Sequence, residues 1–360
     1  LANIISIGTA VPAHQHPQQD ILQFMQQAFG LDETDKRKLS FLYSHSGINQ
    51  RYSVLEEYNG KQAATPLMSL KENVAPSLAA RMELFSKHAL SLSLEAVNDC
   101  IRGHLDAHEI THLITVSCTG MSAPGLDIEL VNALGLRPDC FRTSVNFMGC
   151  YAAIHALKLA QMICASTAGA NVMVVATELC TIHFQNEYNV DNAASSLLFS
   201  DGSAAVLVSN TIKKKHTLSL TSFYSYIANK GYNDMSWKIS EKGFLMTLSS
   251  YIPALIKDDI GGLIEKALLQ AQVNKEDITH WCFHPGGRKI LDVIQQQTGL
   301  TDCAMSYSAD VLCNYGNMSS PTILFVLKKI LENIGEKPAS VFGVAFGPGL
   351  TMETFIASTS

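Results

Sequence analysis

Val145-Asn146-Phe147-Met148-Gly149-Cys150-Tyr151-Ala152-Ala153-Ile154-His155-Ala156-Leu157-Lys158-Leu159-Ala160 sets a cysteine directly before a helical run free of proline and further glycine. At a helix start the first N–H groups lack intrahelical partners and the dipole adds positive character, so a thiolate is favoured and the thiol pKa is expected to fall. The same position also suits a buried cysteine acting as a small hydrophobe, one of nine in the chain. The rest of the sequence has to separate the two readings.

Outward from this stretch the chain repeats itself. Glu109-Ile110-Thr111-His112-Leu113 returns as Asp277-Ile278-Thr279-His280-Trp281, Gly149-Cys150 returns as Gly316-Asn317, and Val172 returns as Val341. The spacings are 168, 167 and 169 residues, and three landmarks in register argue for a duplicated α/β unit. Between the landmarks, apolar patterning predicts strands over Ile4–Ala10, His112–Ser117, Asn171–Thr177, Ala204–Ser209 and Trp281–Phe283. It predicts helices over Gln18–Phe29, within Pro76–Leu105, and over Leu126–Leu134, Asp191–Phe199 and Met318–Leu331. Ser200–Ser203 reads as a turn, and a polar, charged stretch follows Phe29 to about Lys71.

If the halves, 1–215 and 216–360, pack about a pseudo-two-fold axis, Cys150 and Asn317 occupy equivalent helix starts facing each other. His284 follows a strand end close by, and ligand crevices of α/β sheets lie at such ends.

Composition narrows the function classes. The chain has 360 residues, 47 % hydrophobic and 16 % charged, with a net charge of −6 and no long run of one sign, so neither a nucleic-acid nor a membrane surface is expected. Lys213-Lys214-Lys215 reads as a solvated turn. No uncharged apolar run reaches spanning length and the first eight residues do not read as a signal peptide. The cysteines never fall as CxxC, which suits reduced thiols in a cytoplasmic protein and no metal site.

Cysteine beside histidine is an activated-nucleophile pair. A papain-like protease also combines these with asparagine, but there the asparagine orients the histidine. Here Asn317 mirrors the cysteine, so amide and imidazole donors would converge on one cavity as an oxyanion hole for a thioester enolate.

Phe147-Met148-Gly149-Cys150-Tyr151-Ala152, His284-Pro285-Gly286-Gly287, Tyr315-Gly316-Asn317-Met318-Ser319-Ser320 and Gly343-Val344-Ala345-Phe346-Gly347-Pro348-Gly349-Leu350-Thr351 resemble the type III polyketide synthases, the chalcone and stilbene synthase family. The resemblance runs from about Ile4 to Ala357. It implies an α/β thiolase fold, a duplicated five-layered αβαβα architecture, and a homodimer with no bound cofactor. It also implies that acyl-CoA and malonyl-CoA are the substrates. Carried over by residue, Cys150 is the nucleophile, and His284 with Asn317 serves decarboxylation and the enolate. Gly347, Pro348 and Gly349 scaffold the oxyanion region, or form only a tight turn.

The resemblance further places Phe199 and Met246 as gatekeepers and Cys118, Thr119, Cys180, Ile182, His183, Trp237 and Ser319 at the cavity wall. The family member is read as bacterial-type; Met246, Trp237 and His183 depart from the plant pattern, Met246 as a softer gatekeeper and Trp237 and His183 as two walls that reshape and reduce the cavity. His183 is either a polar residue for cyclisation or, the favoured reading, a satisfied core histidine. Cys118 is either a second thiol or a packing residue. CoA phosphates need cations, which the family places in the stretch running from Lys36-Arg37-Lys38 to His45 and Arg51. Lys38 and His45 match, and Arg288 and Lys289 are further candidates. The competing readings are a single-round ketoacyl synthase or acyl transferase on the same fold, and a binding scaffold without turnover.

Overall fold

The computed structural model describes residues 1–59, 67, 75–214 and 217–359. The end of the stretch before Lys71, Lys215 and the 215/216 division therefore lie outside the described residues.

The first half runs β1 (Asn3–Ala10), β2 (His14–Pro17), α1 (Gln18–Ala28), α2 (Glu33–Ser44), β3 (Gln50–Ser53), α3 (Leu78–Ile101), β4 (His112–Ser117), α4 (Leu126–Leu134), β5 (Phe141–Asn146), α5 (Ala152–Ser166), β6 (Asn171–Leu179), α6 (Val190–Leu198) and β7 (Asp201–Ser209). The second runs β8 (Leu218–Ile227), β9 (Met235–Ser240), β10 (Gly243–Leu248), α7 (Ile252–Ala271), β11 (His280–Phe283), α8 (Arg288–Thr298), α9 (Asp302–Tyr315), α10 (Pro321–Asn333), β12 (Ser340–Gly347) and β13 (Thr351–Thr359).

The strands bond in the order β11-β12-β13-β8-β1-β7-β6-β4-β5, which is nearly symmetric about its centre. At that centre β1 and β8 pair only at Asn3–Ser219 and Ile4–Leu218. Cohesion between the halves comes instead from α5 and α10, whose buried faces share one apolar core with strands of both halves. α5 packs on β6 and also on β13, while α10 packs on β11 and also on β7. A second core lies under the outer helices α3, α7 and α8. This is the duplicated, layered thiolase arrangement, with α5 and α10 in the middle layer.

The repeat is kept in hydrogen-bonding detail. A capping box joins Asp106 to Glu109 before β4, and another joins Asn274 to Asp277 before β11. Thr111 and Thr279 each donate their hydroxyl to the carbonyl opening the neighbouring strand, at Asn171 (3.1 Å) and Ser340 (3.0 Å). Both meet the Nδ1 of the following histidine at 2.8 Å.

One element is added and two local expectations change. α2 forms within the charged stretch because Asp32 caps it, accepting from the N–H groups of Thr34 (2.9 Å) and Asp35 (2.8 Å) while Leu39 and Tyr43 turn inward. Asp201–Ser203 belongs to β7 rather than to a turn. The buried Asp201 carboxylate accepts from Thr181 N and Oγ1 and from Val54 N, so this polar run is satisfied inside the sheet. The helix starts are also unequal, since α5 begins two residues after Cys150 and α10 begins four residues after Asn317.

Candidate active site

β5 ends at Asn146, and the chain turns through Phe147 (φ 58°) and Gly149 (φ 82°) into α5, which leaves Cys150 at the bend. A Cβ on Gly149 would lie 2.2 Å from Pro348 Cδ, and one on Gly347 would lie 2.5 Å from the Tyr151 ring. The 347–349 loop thus packs directly against the cysteine turn, and only glycine allows that approach.

Cys150 Sγ lies 3.6 Å from Ser319 Oγ. Its thiol pKa is pushed up to about 11, contrary to the expected fall: burial of the sulfur outweighs Ser319 and Asn317, which favour the thiolate, and the Glu178 carboxylate opposes it. A helix that starts two residues later does not offset this desolvation.

Asn317 is 3 % exposed. Its Oδ1 accepts from Ser319 N at 2.8 Å, and its Nδ2 faces Gly286 O at 3.4 Å, so the amide touches the loop that follows His284. His284 is 1 % exposed and its backbone N–H donates to Val344 O at 2.9 Å. Both of its ring nitrogens are buried without a hydrogen-bond partner, and burial lowers its pKa to about 3. In this structure the cysteine and histidine therefore rest as thiol and neutral imidazole, not as the expected ion pair. Two unpartnered buried nitrogens carry a cost that a polar ligand would relieve.

Phe199, Met246, Cys180, His183 and Trp237 line one cleft together with Phe244. It has room for about 30 Å³, about one water molecule. Ile182, Cys118 and Thr119 are buried, with Cys118 and Thr119 turned toward Glu178, and Ser319 sits against Cys150. A larger hollow of about 280 Å³ along β5 and the turn before α4 shares none of the expected cavity residues. The cleft is narrow because its aromatic rings interlock. His183 stacks on Phe244 with centroids 4.2 Å apart and 10° between planes, and Trp237 meets both edge-on. Both His183 nitrogens are bonded, Nδ1 accepting from Phe244 N (3.1 Å) and Nε2 facing Thr119 O (2.7 Å), which fixes the neutral tautomer. Burial holds its pKa down at about 3. Cys118 is buried, its Sγ accepting from Gly149 N at 3.0 Å.

Glu178, near the end of β6, was not singled out from the sequence. Its carboxylate is fully buried and accepts from Cys118 N (2.8 Å), Thr119 Oγ1 (2.7 Å) and Ser320 Oγ (2.8 Å). Burial raises its pKa to about 7 despite these donors. The signal in the sequence is a lone acid in an otherwise apolar strand.

Among the cations, Lys38 is exposed and paired with Asp35 (2.8 Å), and Arg288 is paired with Asp292 (2.8 Å). The Arg288 stem also lies against Gly47, two residues from the exposed His45, and Lys289 is exposed. Arg51 is no phosphate ligand here, because it is buried and its guanidinium donates to Phe199 O, Ser196 O and Gln18 Oε1. Among the described residues no helix is long and apolar enough to cross a membrane, and no group of His, Cys, Asp and Glu could hold a metal ion.

Comparison with known proteins gives the same picture over the whole length. The family described as chalcone and stilbene synthases, N-terminal domain, matches residues 1–211, and its C-terminal domain matches residues 220–359. The fold is similar to that of PKS-I from the brown alga Ectocarpus siliculosus, with TM-score 0.93 and 27 % identity over 100 % of this chain and 98 % of that one. The C-terminal type III polyketide synthase domain of Steely1 from Dictyostelium aligns with TM-score 0.90 and 26 % identity over 99 % of each chain. A type III pentaketide synthase from Neurospora crassa aligns with TM-score 0.86 and 25 % identity over 100 % of each.

Proposed function

The chain belongs to the chalcone and stilbene synthase family and is a type III polyketide synthase, and from that premise we propose that it extends an acyl-CoA starter with malonyl-CoA on Cys150 and cyclises the product to a small pyrone or phenol. The observation that carries this is the convergence of Cys150, Ser319 and the Asn317 amide, with that amide in turn touching the loop after the unpartnered His284.

In this reading His284 takes the Cys150 proton, the sulfur attacks the starter thioester carbonyl, and CoA leaves as the thiol. Malonyl-CoA then loses its carboxylate as CO2, and the electron pair left behind forms an enolate whose oxygen is held by N–H donors of Asn317 and His284. The enolate carbon attacks the Cys150-bound acyl carbon, and the cysteine sulfur departs. Repetition lengthens the chain. The neutral imidazole is in the right state for the first proton transfer, and excluding water from the site strengthens each donor.

Substrates enter as CoA thioesters and no resident cofactor takes part. Lys38, His45, Arg288 and Lys289 hold the CoA phosphates, and Gly347, Pro348 and Gly349 support the oxyanion region. The halves 1–215 and 216–360 supply the nucleophile and the His–Asn pair respectively, in a cytoplasmic homodimer. The narrow cleft favours, as a second reading, a single condensation or a bare acyl transfer.

Intact-protein and product mass spectrometry with malonyl-CoA and a panel of acyl-CoAs tests this. The expected result is an acyl adduct lost in Cys150→Ala and a product at least two malonyl units longer than the starter. An adduct without extension supports acyl transfer, one malonyl unit supports the single-round enzyme, and the absence of any adduct refutes Cys150 as nucleophile.

A further inference from the structure

Arg51 ends up far from the role its charge suggests. It lies in β3, 2 % exposed, and its Nη2 donates to Ser196 O at 2.7 Å, its Nη1 to Phe199 O and its Nε to Gln18 Oε1 at 2.8 Å. Gln18 Nε2 in turn donates to Leu197 O at 2.8 Å. The last carbonyls of α6 have no helical partner of their own, and this pair of side chains satisfies two of them, at Ser196 and Leu197, and that of Phe199 just beyond, with a cation at the negative end of the dipole.

The clamp reaches further through the main chain. Phe199 and Asn317 form a parallel β-bridge, with Asn317 N donating to Leu198 O and Ser200 N donating to Asn317 O, both at 2.9 Å. On the other side of the bridge, a Cβ on Gly316 (φ 70°) would fall 2.8 Å from Arg51 Cδ. The stem of Arg51 therefore rests on the backbone immediately before Asn317 while its guanidinium grips the backbone at Phe199. The neighbouring Tyr52 stacks on Tyr315 at 5.7 Å, which fixes β3 against the same segment.

We propose that Arg51 is a positioning residue for the condensation, holding the Phe199 turn and, through the Phe199–Asn317 bridge, keeping the Asn317 amide beside Cys150. The inference rests on the assignment of Cys150 and Asn317 made above. Loading of Cys150 uses His284 as base and takes from Asn317 only a minor favouring of the thiolate, whereas decarboxylation needs the Asn317 N–H on the enolate oxygen. A misplaced Asn317 therefore slows the second step far more than the first, and a shift of about an ångström costs on the order of 10–100-fold.

The full-length enzyme is tested as Arg51→Gln, Arg51→Lys and Asn317→Ala by acylation of Cys150, CO2 release from malonyl-CoA per acylatable site, and thermal midpoint. Arg51→Gln is expected to acylate within about twofold of wild type, release CO2 about tenfold more slowly with unchanged KM for malonyl-CoA, and recover part of that rate as Arg51→Lys. Acylation and CO2 release falling together, with no recovery in Arg51→Lys, would show a purely structural role and overturn the proposal. Wild-type CO2 release in Arg51→Gln overturns it too, provided Asn317→Ala has lost that release. Wild-type release in Asn317→Ala instead removes the assignment beneath it. If Arg51→Gln does not fold, Gln18→Met, which removes one anchor of the guanidinium, must lower CO2 release per site in the same sense by about threefold. No change in that variant overturns the proposal.

Discussion

Trp237 Nε1 donates to the main-chain carbonyl of Cys118 at 2.7 Å, so the indole that narrows the cleft is fastened to the loop leading out of β4. A ring held at its polar tip and wedged edge-on against His183 and Phe244 cannot swing aside for a growing chain. Trp237→Ala is therefore expected to shift products toward longer chains or bulkier starters, at a stability cost of about 3 kcal/mol. Trp237→Phe keeps most of the wall and loses only the bond, about 1 kcal/mol. Product masses check the first effect and denaturant melts the second. An unchanged product spectrum in Trp237→Ala would place the length-limiting wall elsewhere.

The Cys150 thiol, with its pKa raised to about 11 by burial, should be slow to alkylate in the free enzyme. Its rate with iodoacetamide is expected to climb about tenfold per pH unit from 7 to 10, because the thiolate is the reacting species. Cys150→Ser supplies the background from the other thiols. A plateau below pH 8 would mean that the imidazolium–thiolate pair forms in solution.

Glu178 predicts a stability effect with a definite sign. Its folded pKa, about 7, lies above its value in an unfolded chain, so the folded state binds a proton that the unfolded state releases. That contribution is complete below about pH 4.5 and is lost as pH rises through about 7. Glu178→Gln mimics the protonated acid, its Oε1 accepting from Cys118 N and Thr119 Oγ1 and its Nε2 donating to Ser320 Oγ. The variant is expected to be more stable than wild type at pH 8 by about 1–3 kcal/mol, and indistinguishable near pH 4. Urea midpoints at the two pH values measure it, and equal midpoint differences at both would show that Glu178 does not titrate in this range.

The parts of this molecule that sequence reading reaches are those written in neighbouring residues. The helix over Leu126–Leu134 ends where Gly135 takes a left-handed turn, and the landmarks at Thr111 and Thr279 are marked by capping boxes, Asp106 with Glu109 and Asn274 with Asp277, whose bonds close within three residues. Cys150, His284 and Asn317 are found because their surrounding motifs are local. Arg51, Glu178 and Asp201 escape for the opposite reason. Arg51 bonds to Ser196 and Phe199, Glu178 to Cys118 and Ser320, and Asp201 to Val54, so what each side chain does is set by segments far along the chain. The Cys150 pKa belongs with them, since a helix start is visible in sequence and the burial that overrides it is not.

The seam between β1 and β8, with its two residue pairs, gives the fold an uneven inner economy of attachment. Main-chain bonding is dense within each half and sparse between them, while the paired middle helices bring the halves together through a shared apolar core and a few side-chain bonds, Lys328 to Asp99 and Lys158 to Ser225. Apolar contact is indifferent to small translations, unlike a ladder of hydrogen bonds. The segments that lead into α5 and α10 accordingly carry unlike chemistry, the sulfur of Cys150 on one side and the amide of Asn317 on the other, between strands whose order matches on both sides of the seam.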